Sequence, residues 1–178
     1  MNQTITDLKE RRSIRKYQDR QVDQFLLDQV LEAATYAPTG MNRQSPLIVV
    51  VKNEETKNKL RAINAKIMNT TKDPFYNAPV LVVVFGNKNI PTYLYDASLV
   101  LGNLMNAAHA LGLGSCWIHR AKETFETLEG KEILKEWNIS SDYVGVGNCI
   151  IGYPDESPIA SKRKDGYRSE EHTSELQS

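Results

Sequence analysis

Residues 80–85 read Val-Leu-Val-Val-Val-Phe, an apolar run without polar alternation. Such a run predicts a β-strand that is buried on both faces. A second run of the same kind, Leu-Ile-Val-Val-Val, occupies residues 47–51. The two runs predict a central sheet that is covered by helices.

Helical patterns lie on either side of these strands. A helix is predicted over residues 54–68, with Leu60, Ile63 and Ile67 on one side. Nearer the N-terminus, residues 4–11 predict a short helix in which Thr4 and Asp7 have capping-box spacing. A further helix is expected to begin after Asp23 and to end before residue 38.

The C-terminal half continues the alternation of helices and strands. Strands are predicted over residues 113–118 and 143–151, with one or two helical pieces over 122–137 that are interrupted near Gly130. Strands separated by helices usually form a parallel, doubly wound sheet. However, no glycine-rich phosphate loop follows the first strand, which disfavours a Rossmann-type nucleotide site.

The segment 95–111 predicts an unusual helix. Apolar residues surround almost its whole circumference, so we expect it to be central. It also carries several small residues, namely Ala97, Ser98, Gly102, Ala107, Ala108 and Ala110. Small residues allow another backbone to approach, which suits a subunit interface, although filling a crowded monomer core explains them equally well.

Composition narrows the class of protein. Of 178 residues, 40% are hydrophobic, and the 22 basic residues balance the 22 acidic ones, so nothing points to nucleic acid or an anionic membrane as a partner. No apolar stretch is long enough to span a membrane. The two cysteines, Cys116 and Cys149, have no metal or redox spacing, and a cytoplasmic location is expected.

The last eleven residues, 168–178, fit nothing upstream. They read Arg-Ser-Glu-Glu-His-Thr-Ser-Glu-Leu-Gln-Ser and match the conceptual translation of a widely used sequencing adapter residue for residue. We therefore interpret residues 1–167 as a single domain and residues 168–178 as a non-native, read-through tail. His172 is excluded from the functional argument.

Three polar segments stand out from the core pattern. The first, residues 11–16, reads Arg-Arg-Ser-Ile-Arg-Lys and offers the guanidinium groups and hydroxyl that bind a phosphate, although a solvated basic turn explains it as well. The second, residues 37–46, is a loop rich in amides and hydroxyls before a buried strand. Ordinary turn chemistry accounts for its proline and glycine.

The third segment, residues 112–120, leaves a buried strand through Gly-Leu-Gly-Ser-Cys-Trp-Ile-His-Arg. Cys116 and His119 suggest a catalytic pair, but residues three apart on a strand point to opposite faces, so a core cysteine is favoured. Gly112 and Gly114 allow a ligand or a neighbouring chain to approach closely.

Together these segments resemble the nitroreductase family of flavoproteins. Residues 11–15 are similar to that family's R-x-S-x-[RK] signature, residues 38–44 to its P-S-x-x-N-x-Q loop, and residues 112–118 to its G-L-G-S-x-x-I segment. The basic residues 161–164 fall where the family places its last phosphate-binding residues. The resemblance extends over residues 1–167 and implies an α+β sandwich with a mainly antiparallel sheet, which replaces the parallel expectation.

The resemblance also implies a set of FMN-binding residues. Phosphate and ribityl contacts are implied for Arg11, Arg12 and Ser13, and contacts with the pyrimidine edge of the flavin for Arg15. The other implied residues are Pro38, Thr39, Gly40 and Asn42 from the partner subunit of a homodimer, His119 and Arg120 near the flavin ring, and Lys162 and Arg163 at the phosphate.

The implied activity is FMN-dependent reduction of small electron-poor acceptors with NADH or NADPH as the electron donor, by a ping-pong mechanism. Because the chemistry belongs to the flavin, no catalytic side chain and no metal ligand is assigned. Three alternatives stay open. The first is a different flavin enzyme of the same superfamily, such as a reductive dehalogenase, and the second is an FMN-binding protein that stores or senses flavin without turnover. The third is a flavin-free α/β scaffold with a chance basic turn.

Overall fold

The computed structural model describes residues 1–170 of the chain. Residues 171–178, which contain most of the predicted foreign tail and His172, lie outside the described residues.

Six α-helices, one short 3-10 helix (Gly40–Asn42) and four strands make up the regular structure of residues 1–170. The helices are α1 (Gln3–Glu10), α2 (Gln24–Thr35), α3 (Glu54–Ile67), α4 (Tyr93–Ala110), α5 (Ala121–Glu126) and α6 (Leu128–Glu136). The strands are β1 (Leu47–Val51), β2 (Val80–Asn87), β3 (Gly114–Ile118) and β4 (Tyr143–Gly152).

The four strands form one sheet in the order β1-β2-β4-β3, and every neighbouring pair is antiparallel. The antiparallel α+β sandwich is therefore confirmed, and the parallel sheet that alternation alone suggested is wrong. In the register, Val51 lies opposite Leu81, so β2 begins beside the end of β1. The connection through α3 thus returns the chain to the end of the sheet that it left, which reverses the strand direction.

Burial differs between the two predicted core strands. β2 is buried along residues 80–86, as predicted, because it lies between β1 and β4. Both faces of β1 are covered, as expected, since Ile48 and Val50 pack on the α2 and α4 side and Leu47 and Val49 on the opposite side. The cover is less complete than for β2, because four of the five residues are partly exposed and only Val51 is buried. β1 is an edge strand, and one side of an edge strand has no neighbouring strand to cover it.

Two apolar clusters fill the two faces of the sheet. Residues of α2 and α4 pack on the face that carries Val82, Val84 and Ile151. Residues of α3, α5 and α6 pack on the opposite face, which carries Val83 and Ile150. We call these the α4 face and the α3 face.

Three details of the helices differ from the predictions. α1 begins after Asn2, and the side chain of Asn2 caps the helix. Asp7 accepts a hydrogen bond from the side-chain amide of Gln3 and does not form the predicted capping box with Thr4. Ile67 is 37% exposed, because it lies at the last residue of α3. The helical break falls at residue 127, whereas the glycine at position 130 lies inside α6.

Helix α4 packs on β2, β3, β4 and α2, which confirms its central position. Its other side is open, with Leu94, Tyr95 and Leu99 exposed by 48%, 69% and 48%. A Cβ atom added at Gly102 would meet no heavy atom within 4 Å. Within residues 1–170, no helix is both long enough and apolar enough to cross a membrane.

Candidate functional site

The first predicted segment runs beside the edge strand β3. Ser13 forms a parallel bridge with Ser115, and the backbone N–H of Ile14 donates to the carbonyl oxygen of Ser115 at 2.9 Å. A Cβ atom added at Gly114 would lie 2.9 Å from the Ile14 side chain, so this approach requires glycine. The group that lies close to Gly114 is thus a side chain of the same chain, whereas the sequence predicted a ligand or a neighbouring chain there.

The arginines that precede this bridge contain buried donor atoms without partners. In the described part of the chain, four buried side-chain nitrogen or oxygen atoms have no hydrogen-bond partner, and two of them are Arg11 Nη1 and Arg12 Nε. The other two belong to Ser45 and Thr124. Arg12 Nη1, in contrast, donates to the carbonyls of Lys9 and Arg11 at 2.9 and 2.6 Å. Buried unpaired donors are costly, so they indicate a site for an acceptor that binds from outside the chain.

A cleft of about 250 Å³ opens beside Arg12. Two carboxylates, Glu10 and Glu156, also line it, and Glu156 Oε1 accepts from the backbone N–H of Arg15 at 2.5 Å. The rest of the lining comes from Ile14, from His109 in the last turn of α4, from the start of β3 and the two residues before it, and from the segment after β4. The cleft thus offers donors at Arg12 and a carboxylate that holds the backbone of Arg15.

His119 and Arg120 follow the far end of β3. The distance from Ser115, opposite Ser13, to His119 is four residues, or about 13 Å along the strand. A ligand that reached both ends would be elongated, with an anionic group at the arginines and a body that extends along the edge of β3. The donor set and this length fit FMN, which carries a phosphate at one end and a flat ring at the other.

Two buried amides fix the turn at His119. The side chain of Asn64 is fully buried and donates to the His119 carbonyl at 3.0 Å, while Asn148 donates to the same oxygen at 3.4 Å. Asn64 Oδ1 accepts from Arg120 Nε at 3.0 Å. These bonds hold Arg120 in the left-handed region, at φ 72°, where a residue other than glycine is uncommon. The His119 side chain itself is exposed.

The sequence interpretation missed Asn64 and Asn148. A signal existed for Asn148, since it is the polar residue of the strand Tyr-Val-Gly-Val-Gly-Asn-Cys-Ile-Ile-Gly. An amide in such a run is expected to find a buried partner. Asn64 gave no comparable signal, because it lies in a polar helical sequence.

The second predicted segment forms a tight loop with three left-handed residues, Met41, Asn42 and Gln44, at φ 54°, 53° and 50°. Thr39 Oγ1 accepts from the Gln44 backbone N–H at 3.0 Å, and Asn42 Oδ1 accepts from the Gln44 side chain at 3.0 Å. Pro38 and Asn42 are exposed. Of the predicted ligand-binding residues of the loop, Pro38 and Asn42 are therefore at the surface, whereas Thr39 and Gly40 are half-buried.

Asp96 attaches this loop to the first turn of α4. Its buried carboxylate accepts from the Gly40 backbone N–H at 2.9 Å and from Thr92 Oγ1 at 2.8 Å. A Cβ atom at Gly40 would clash with the Thr92 side chain, so glycine is required there. Asp96 was also missed, although a lone acid in an apolar helix is a recognisable signal.

The loop and the arginine cluster lie at opposite ends of α4. Asp96, which holds the loop, is near the start of the helix, whereas His109, which lines the cleft with Arg12, is in its last turn. Thirteen residues of α-helix separate them by about 20 Å. One chain does not bring its own loop to its own arginine cluster.

Lys162 and Arg163 make contacts within their own exposed segment. Lys162 Nζ lies 3.9 Å from Asp165 Oδ1, and Arg163 Nη2 donates to the Ser161 carbonyl at 2.9 Å. Their predicted contact with a phosphate stays a prediction.

Cys116 is a core residue on the α3 face, as expected, and its side chain is 2% exposed. Cys149 packs on the α4 face, and burial raises the pKa of its thiol to about 12. The two cysteines therefore lie on opposite faces of the sheet.

Comparisons with known proteins agree with this geometry. A family model described as "Nitroreductase family" matches residues 8–74 and 64–153. The chain is 30% identical over 171 residues to the FMN reductase [NAD(P)H] of Bacillus subtilis (strain 168), an alignment that covers 86% of this chain and 67% of that protein.

Two solved structures are similar along most of the chain. An FMN-dependent nitroreductase from Clostridium difficile R20291 is 33% identical, with a TM-score of 0.75 and coverage of 89% of this chain and 91% of that one. A nitroreductase with bound FMN from Bacteroides fragilis NCTC 9343 is 25% identical, with a TM-score of 0.82 and coverage of 92% and 95%.

Proposed function

Because this chain belongs to the nitroreductase family, we propose that it is an FMN-dependent oxidoreductase that takes electrons from NADH or NADPH. The Bacillus subtilis relative is an FMN reductase [NAD(P)H], and the Clostridium difficile relative is FMN-dependent. Donor and cofactor are transferred to this chain from those proteins. The proposed acceptors are small electron-poor molecules: nitroaromatics, quinones, activated alkenes or flavins.

One observation of this chain carries the proposal. Arg11 Nη1 and Arg12 Nε are buried donors without partners, and they immediately precede Ser13, which bridges to Ser115 at the edge of β3. A phosphate supplies charged acceptor oxygens that two guanidinium groups can share. A purely structural basic turn would instead expose these donors to water or pair them.

When bound, FMN would supply the redox chemistry, accepting hydride from the nicotinamide and passing electrons to the acceptor in a ping-pong cycle. Arg11, Arg12 and Ser13 would hold its phosphate and ribityl chain. The positive charge of Arg15 would lie at the pyrimidine edge and favour the anionic reduced form. No side chain is nominated as a proton donor.

The turn at His119 would lie beside the flavin ring. Its backbone is held by Asn64 and Asn148, which fix the carbonyl of His119 and so the orientation of the next peptide. A preorganised peptide N–H at this turn would donate to the ring at no further cost in ordering. The exposed imidazole of His119 is free to contact an acceptor.

We further infer that the functional form is a homodimer. Residues 38–45 lie about 20 Å from the arginine cluster of the same chain, measured along α4, so they would complete the site of the partner subunit. The exposed Leu94, Tyr95 and Leu99 of α4 give an apolar surface on which two chains could meet. The proposed location is the cytoplasm, where NAD(P)H is available and Cys116 and Cys149 stay reduced.

An absorbance titration tests the proposal. The purified chain is expected to show a flavin absorbance spectrum. NADH or NADPH should bleach this absorbance under anaerobic conditions, and a nitroaromatic acceptor should restore it. A protein that stays colourless after incubation with excess FMN would refute flavin binding. A flavin spectrum that neither NADH nor NADPH bleaches would leave flavin binding intact and refute the oxidoreductase activity.

A further inference from the structure

A second cavity lies away from the arginine cluster, between α5, α6 and the first residues of β4. Its volume is about 420 Å³, which is in the range of small-molecule sites. The apolar part of its wall comes from Phe125, Leu134, Ile139 and Val144. Phe125 is held in place by ring contacts with Phe85 and Trp137, at centroid distances of 4.9 and 5.9 Å.

Four lysines, Lys88, Lys122, Lys131 and Lys135, surround this apolar wall. Glu126 is the one acidic residue of the lining, and it pairs with Lys122 at 2.6 Å. The lining therefore carries a net charge of +3 in a chain whose overall formal charge is zero. An uneven distribution of charge of this kind favours an anionic ligand.

Lys131 and Lys135 are the cations most available to a ligand. They lie four residues apart on α6, so their side chains project from the same side of the helix. Neither ammonium forms a hydrogen bond or an ion pair within the described part of the chain. Like charges at this spacing repel one another, and an anion bound between them would relieve that repulsion.

The acidic residues of α6 do not line the cavity. The pKa of Lys59 on α3 is raised chiefly by its hydrogen bond and charge interaction with Glu55, with smaller contributions from Glu136 and Glu132. Glu132 and Glu136 thus act on α3, whereas Lys131 and Lys135 line the cavity. Of the charged residues of α6, the two lysines line the cavity and the three glutamates do not.

The cavity is separate from the proposed phosphate site. Tyr143, at the start of β4, lines the cavity, whereas Gly152, at the end of β4, pairs with Gly114 beside the arginine cluster. Nine residues of antiparallel strand separate the two by about 30 Å.

We propose that this cavity is a binding site for a small amphipathic monoanion, a carboxylate with an aromatic or aliphatic body. The apolar body would lie against Phe125, Leu134 and Val144, and the carboxylate would lie between Lys131 and Lys135. The inference does not depend on flavin chemistry.

The test uses the full chain, saturated with FMN, and a matched pair of probes: 4-phenylbutyrate and its neutral counterpart 4-phenylbutan-1-ol. Titrations are followed by amide chemical shifts in two-dimensional NMR spectra. We expect the carboxylate to shift the amides of residues 125–145 at one saturable site. The alcohol is expected to bind about tenfold more weakly, because it lacks the charge.

Two variants locate the site. Lys131→Glu/Lys135→Glu is expected to weaken phenylbutyrate binding by about tenfold or more. The control Lys66→Glu/Lys72→Glu makes the same change in charge on an exposed surface elsewhere. It is expected to leave the affinity for phenylbutyrate within about twofold of the original value. Val144→Trp is expected to block the cavity and abolish the shifts. Equal binding of acid and alcohol, shifts centred on the flavin segments, or no binding would each overturn the proposal.

Discussion

The side chains of Arg11 and Arg12 combine positive charge with buried nitrogen atoms that have no partner. In the ligand-free chain these atoms are a cost, because a buried unpaired donor loses its hydration without compensation. In the site proposed above, a bound anion would reverse this cost. A residue of this kind therefore contributes to binding at the expense of the stability of the free protein.

Arg12→Ala is expected to weaken FMN binding by about 100-fold, corresponding to the loss of about 2–3 kcal/mol from charged hydrogen bonds. The melting temperature of the FMN-free protein is expected to change little, because removal of the unpaired Nε atom offsets the loss of the two hydrogen bonds of Nη1. Fluorescence quenching of FMN and thermal unfolding measure the two effects. As a control, Lys72→Ala removes one exposed charge and should leave the FMN affinity unchanged; unaltered affinity in Arg12→Ala would contradict the assignment.

Cys149 makes a second prediction at the scale of one residue. Burial raises the pKa of its thiol to about 12, whereas the thiol of the unfolded chain ionises near its ordinary value of 9.0. Above pH 9 the unfolded chain therefore binds fewer protons than the folded chain, and stability falls as the pH rises toward 12.

The expected loss is up to about 1.4 kcal/mol per pH unit in this window. Urea unfolding between pH 8 and 10.5 measures it. Cys149→Ala is less stable at pH 8 because it leaves a cavity, but its stability is expected to fall less steeply above pH 9. Identical slopes for the two proteins would contradict the prediction.

Among the elements, α4 has the most varied set of contacts. One side of it packs on the sheet, its first turn holds the loop of residues 38–45 through Asp96, and its last turn reaches the cleft beside Arg12. A displacement of α4 would therefore move the loop with it. The polar bonds of Asp96 connect packing in the core to the position of the loop.

Asp96→Ala is expected to destabilise the protein by about 1–3 kcal/mol, because the Gly40 N–H loses its acceptor at a buried position. Asp96→Asn keeps one carbonyl oxygen for Gly40 and should lose less. If the loop completes the partner's site, FMN affinity should decrease in the same order. Urea unfolding and FMN titration measure both, and Asp28→Ala, which removes an exposed carboxylate from α2, is the control. Equal effects of the two Asp96 variants would contradict the role of the Asp96 carboxylate in holding the loop.

At the scale of the whole molecule, the two proposed parts of the site lie at opposite ends of α4 in one chain. The arginine cluster lies at the end of α4, the loop lies at its beginning, and the exposed apolar side of the helix lies between them. A twofold dimer formed on this side would place each loop near the other chain.

Leu99→Glu is expected to yield a monomer that has lost most of its FMN affinity, because a charge on the exposed stripe of α4 opposes association. Light scattering coupled to gel filtration gives the mass, and the absorbance spectrum gives the flavin content. Leu128→Glu changes a more exposed leucine, 81% accessible on α6, and should remain a dimer with flavin. A Leu99→Glu monomer with full flavin content would refute the shared site.

Local sequence was enough to predict where the strands and most of the helices lie, and which segments resemble the nitroreductase family. These predictions follow from local properties, such as the apolar runs at residues 47–51 and 80–85 and the cluster of arginines before Ser13. Local sequence also predicted that Cys116 belongs to the core, since alternation along a strand separates it from His119.

The antiparallel direction of the strands was implied by the family resemblance and not by local sequence, whereas the edge position of β1 and the long-range polar contacts became known only from the folded chain. Asn64 meets His119 across 55 residues of chain, and Asp96 meets Gly40 across 56. The polarity and spacing of neighbouring residues carry no information about such pairs. These residue pairs meet because helices pack on the two faces of one sheet. That packing depends on segments from the whole chain and not on neighbouring residues.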